Sequence, residues 1–122
     1  MTDPNLFLVF SNPVTGREVA FNEWYDAVHV PQVLAVPGVV AARRYEVAPM
    51  ETPELEGVPS PEPPAHGYLA VYELDRDANA VMADFVERIM SGALDLSEDL
   101  DLGRVAMSVW QPIGDRRIAT DG

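Results

Sequence analysis

Residues Phe21 to Gly38, FNEWYDAVHVPQVLAVPG, place one of the chain's two histidines beside a proline and close to a tryptophan, a tyrosine and an aspartate. On a 3.6-residue helix Tyr25 and His29 lie one turn apart on nearly the same line, with Asn22 and Asp26 alongside and Trp24 and Val28 marking the buried side. Imidazole exchanges a proton near neutral pH, so His29 could serve as a general acid or base. Tyr25 or a strand tyrosine would then be the hydrogen-bond donor, and Asp26 could offset desolvation or orient one ring nitrogen. A second role is purely structural, with His29 capping the helix carbonyls freed by Pro31; the residues leave both open. Helix carbonyls favour the imidazolium by roughly 0.3–1 kcal/mol, under about one pKa unit, whereas burial lowers a histidine's pKa by up to several units. Depth therefore decides the sign.

Other side chains could border the same pocket. Trp24 suits its wall, and Tyr45, Tyr68, Tyr72 and Trp110 sit on strand-like segments where aromatics chiefly pack but one or two could reach a cavity. Adjacent Arg43 and Arg44 must point opposite ways on a strand, so one of them could meet a carboxylate substrate, or simply pair with Glu46 or Glu73. His66 follows a double proline and is expected to be exposed. Glu23, Asp26 and His29 recur every third residue, too wide an arc for one ion, and with two histidines and no cysteine no metal site is expected. Neither a Gly-rich phosphate loop nor a GxSxG elbow occurs, so no cofactor is expected either.

The elements that must carry these residues follow from pattern. Asn5 to Asn12 is an apolar run closed by Pro13, a first strand. Thr15 and Glu18 have capping-box spacing and predict a helix that runs through Val19, Phe21, Trp24, Tyr25 and Val28. Pro31 is expected to end it, or to open a short second turn through Leu34. Val39 to Val47 predicts a second strand, with Val39, Ala41, Arg43, Tyr45 and Val47 on one face. Six prolines crowd Ala48 to Ala65, an irregular loop. Gly67 to Leu74 alternates as a third strand, Asp77 caps a helix that Gly92 stops, and Arg104 to Gln111 is a fourth strand. Leu94 to Leu102 reads as a ragged acidic turn, and 114–122 as a mobile tail.

The order strand, helix, strand, strand, helix, strand is the ferredoxin-like βαββαβ pattern: an α+β fold with a four-stranded antiparallel sheet and two helices on one face. Both alternation classes of the strands are largely apolar, Leu6 and Leu8 against Phe7 and Val9, Ala106 and Trp110 against Met107 and Val109. The face without helices therefore needs a cover, and a second copy of the chain is the simplest. The 122 residues amount to one domain. A charge of −12, with all eight basic residues arginine, disfavours nucleic acid and anionic membranes. No apolar run approaches the ~20 residues needed to span a bilayer. The absence of a signal-like start and of cysteines predicts a cytoplasmic chain.

The run FNEWYDAVHVPQVLAVPGVVAARRYE, backed more weakly by GYLAVYEL and SVWQP, resembles the EthD-like branch of the dimeric α/β-barrel proteins, which is also similar to muconolactone isomerases and small polyketide cyclases. The resemblance implies a homodimer whose two sheets pack into a barrel, with a small hydrophobic or aromatic metabolite held between sheet and helices of each subunit. It further implies a cofactor-independent enzyme in which His29 moves a proton on a cyclic or polyketide-like substrate, by isomerisation, cyclisation or dehydration. Two alternatives accompany it: a ligand-binding or accessory homodimer without catalysis, and a cofactorless monooxygenase. The stretch from Pro49 to Pro64 matches no motif of that group.

Overall fold

The computed structural model describes residues 3–51 and 53–120. Its strands are β1 (Asn5–Ser11), β2 (Val39–Glu46), β3 (Tyr68–Leu74) and β4 (Ala106–Trp110), with helical segments between β1 and β2 and between β3 and β4. All three strand pairings are antiparallel and the order across the sheet is β2-β3-β1-β4. This is the ferredoxin-like α+β arrangement expected from the element order. Of the proline-rich stretch and the tail, Thr52, Asp121 and Gly122 lie outside the described residues; the described part of 48–66 holds one turn, closed by Val58 N–H donating to Leu55 O at 3.0 Å.

The first helix departs from expectation at both ends. It starts at Glu18 with Arg17 in the capping position, and no side chain caps it, so Thr15 is not the cap. Tertiary contacts decide this: Val14 N–H donates to Asp99 O at 2.7 Å and Arg17 pairs with Asp99 at 2.7 Å, which fixes the turn before the helix. Nor does Pro31 end the helix. Segment α1 (Glu18–Trp24) runs through a π-helical turn (Tyr25–His29) into α2 (Val30–Leu34), with right-handed helical angles at both joints. Val30 N–H reaches back to Tyr25 O, five residues away, and this widened turn admits a proline that has no amide to donate.

The wide turn also sets which residues are buried. An unbroken helix drifts by about 40° for every four residues. Here Phe21, Tyr25, His29 and Val33 keep a strict spacing of four and all face the core, while Val28 and Val19, expected to be buried, are exposed. Helix α3 (Ala78–Ser91) follows the predicted pattern: the Asp77 carboxylate accepts from Ala80 N–H at 3.2 Å, and Gly92 closes it with a left-handed φ of 84°. Its Val81 and Phe85 meet Phe7, Tyr72 and Leu74 of the sheet in one core.

A bulge between Val39 and Ala41 corrects the expected facing of β2. Val39 opposes Leu74 and is buried, whereas beyond the bulge Ala42, Arg44 and Glu46 take the helix side and Ala41, Arg43 and Tyr45 the outer side. Gly38 precedes it at φ 96°, and a Cβ there would stand 2.6 Å from Val81 Cγ2, so only glycine fits. On the outer face, Leu6, Leu8, Phe10, Leu69 and Val71 form adjoining half-buried rows, flanked by the exposed Tyr45 and Trp110.

Candidate functional site

Between the sheet and the helices lies a chamber of about 290 Å³. Val9 and Ser11 of β1 and Tyr72 of β3 form its floor, Tyr25 and His29 of the π turn one wall, and Phe85 and Ile89 of α3 another. Leu96, Leu100 and Leu102, with Val105 and Met107, close the remaining side. The segment carrying those leucines, expected as a ragged turn, is tied down: Asp101 N–H donates to Asn12 O at 3.0 Å, Leu94 N–H to Arg88 O at 3.0 Å and Asp95 N–H to the Gln32 side chain at 3.3 Å.

Its polar groups are few and deeply set. His29 is 5% exposed, stacked on Trp24 with ring centroids 4.6 Å apart and edge-on to Tyr25 at 5.0 Å. Its Nδ1 is buried without a hydrogen-bond partner among the described residues. Burial first, and the Arg44 charge second, lower its pKa from the ordinary 6.5 to about 4, so the ring is neutral at pH 7. The Tyr72 hydroxyl is also buried and unpartnered: it lies near enough to Tyr25 to affect its ionisation but completes no hydrogen bond of good geometry. Burial raises the pKa of both tyrosines, which therefore stay protonated. Ser11, buried beside Tyr25, supplies a third hydroxyl.

Of the residues singled out from the sequence, Tyr25, His29 and Tyr72 converge here. Trp24 backs His29 but does not border the chamber. Asp26 does not reach His29: its exposed carboxylate pairs with Arg44 Nη1 at 2.8 Å. Arg44 is the inward arginine, yet it packs on Tyr25 without lining the chamber, its guanidinium carbon 4.3 Å from that ring centroid and its Nη2 donating to Asn22 Oδ1 at 2.8 Å. Tyr68 joins this cluster, 5.1 Å from Phe21 and accepting from Asn22 at 3.4 Å. Arg43, Tyr45 and Trp110 stand on the outer face, away from the chamber, with Trp110 Nε1 donating to Ser108 Oγ at 2.7 Å. Ser11 and the leucines of 96–102 escaped sequence reasoning, although Ser11 breaks the inward apolar series of Phe7 and Val9.

Two larger depressions, of about 420 and 620 Å³, flank the proline-rich stretch near His66. Both are more open to solvent and neither is lined by His29 or Tyr72, so the chamber between sheet and helices is the candidate site.

The structure thus defines a ferredoxin-like α+β domain with an internal, largely apolar chamber. No family model matches the sequence. No curated protein matches it either. The fold is EthD-like: it is similar to the crystal structure of an ethyl tert-butyl ether D (EthD) family protein from Bacillus halodurans C-125, with a TM-score of 0.50 and 12% identity over 91% of this chain and 99% of that one. At that identity the likeness concerns the fold alone.

Proposed function

We propose that the chamber binds a small ring-containing molecule and that His29 exchanges a proton with it, without a cofactor. One observation carries this: His29 and Tyr72 both line the chamber, and each has a buried polar atom, Nδ1 and the hydroxyl, that lacks a partner among the described residues. An unsatisfied buried donor or acceptor costs about 1–3 kcal/mol, which a bound polar group would recover. The volume lies at the lower end of the roughly 300–1,000 Å³ usual for ligand sites, suited to one or two rings. At neutral pH a neutral imidazole can accept a proton or hydrogen bond while a protonated tyrosine donates to a developing oxyanion, the pair that isomerisation, cyclisation or dehydration requires. A second copy packed on the outer apolar rows would complete the domain as a homodimer.

Asp26, turned to Arg44, favours a second reading, in which the chamber only binds. An imidazole without an orienting carboxylate, and with a pKa near 4, is a weak base. Turnover separates the two. With a substrate identified by screening cyclic ketones and phenols, His29→Ala is expected to lose about 100-fold or more in kcat and Tyr72→Phe about 10-fold. Undiminished turnover in folded His29→Ala would refute the enzymatic role, and binding without turnover in the native protein would establish the accessory one.

A further inference from the structure

We infer that the chamber selects neutral ring compounds bearing a hydroxyl or carbonyl group and rejects carboxylates of the same shape; this rests on the chamber being a ligand site, as proposed above. Among the described residues twelve line it, and none of them is an acid, an arginine or a lysine. Arg44 packs on the Tyr25 ring of its wall but does not line the chamber, and both guanidinium arms are already engaged, by Asp26 and Asn22 at 2.8 Å each. A bound carboxylate would be desolvated with no counterion, and so would an ammonium, because the chamber offers no carboxylate either. The surroundings add to the bias. The segment that supplies Leu96, Leu100 and Leu102 also carries Asp95, Glu98, Asp99 and Asp101, of which Asp99 is paired with Arg17, and the whole chain bears a formal −12. That field repels an approaching anion before it reaches the chamber.

What remains for recognition is hydrogen bonding. His29 Nδ1 and the Tyr72 hydroxyl lack partners, and Ser11 lies beside Tyr25. A phenol, an enol or a ketone can satisfy such groups while its ring displaces water from leucine, valine and phenylalanine side chains. The arginine pair that sequence alone offered for a carboxylate substrate is thus unavailable to it, Arg43 on the outer face and Arg44 held by Asp26 and Asn22.

The test uses the whole chain and a pair of matched probes, 2-naphthol and 2-naphthoate. Affinity is measured by calorimetry, and the site is located from the His29 imidazole ¹⁵N resonances. The alcohol is expected to move those resonances and to bind at least about 100-fold more tightly than the carboxylate. Met107 borders the chamber and is 59% exposed, so Met107→Arg can add a cation without burying it; this variant is expected to narrow the gap by about 10-fold. Comparable affinities for the two probes, both shifting His29, would overturn the charge selection and leave the chamber as a ligand site. If 2-naphthol leaves the His29 resonances unmoved, the ligand site and the selection fall together.

Discussion

Two polar clusters meet at the Tyr25 ring and are built by contrary rules. In one, Arg44 is fully engaged: Asp26 and Asn22 bind its guanidinium, and Phe21, Tyr25 and Tyr68 present their rings to its charge. In the other, His29 and Tyr72 keep polar atoms that are buried and idle. A satisfied network holds a helix to a sheet and has nothing left to offer a ligand. Polar groups buried without partners weaken the free protein, a cost that the proposed ligand would recover. The contrast separates a charged cluster that fastens the helix to the sheet from a neutral one that the proposed ligand site would use.

Acid should break the contrast most strongly. His29 has a folded-state pKa lowered to about 4 from 6.5, so its neutral state is favoured by folding. The unfolded chain takes up the proton first. Stability is therefore unaffected above about pH 6.5 and falls as pH drops from there to about 4, by roughly 3 kcal/mol in total from this group. Denaturant unfolding of native and His29→Leu proteins across that range checks it: the variant is expected to lose this part of the slope and keep only the carboxylate contribution. Next in size, Arg44→Met removes two charge-assisted hydrogen bonds and the stacking on Tyr25, an expected loss of about 1–2 kcal/mol in the same assay. It should also raise the His29 pKa, because the Arg44 charge contributes to lowering it. Smallest is Tyr72→Phe, which deletes an unpartnered hydroxyl. Its unfolding free energy is expected to be unchanged or higher by up to about 1 kcal/mol, the opposite sign to Arg44→Met.

The fold was legible because local signals agreed: an apolar run for β1, strand-length runs for β2, β3 and β4, an Asp77 cap, a Gly92 stop, and an element order that admits few topologies. The site was legible only in part. Tyr25, His29 and Tyr72 stood out by residue type. The side on which each neighbour falls depends on features that single-residue patterns hide. A bulge at Val39 inverts the start of β2, and a π turn lets a four-residue repeat run straight through Pro31. The repeat itself, Phe21, Tyr25, His29, Val33, was a usable signal: held over four members, it is out of phase with a regular helix. Asp26 was paired with His29 by sequence proximity, whereas the structure gives it to Arg44, eighteen residues on, on the helix side of β2. The leucines at 96, 100 and 102 were obscured by the acidic residues among them, and only tertiary hydrogen bonds show that they form a wall.

The most direct measurement is a ¹⁵N NMR titration of His29 in the ligand-free protein. A neutral imidazole is expected to persist until pH approaches about 4, with ring shifts unlike those of a solvent-exposed histidine. Titration near the ordinary 6.5, with shifts typical of a hydrated ring, would mean that His29 meets bulk water and is not the buried group on which the account rests.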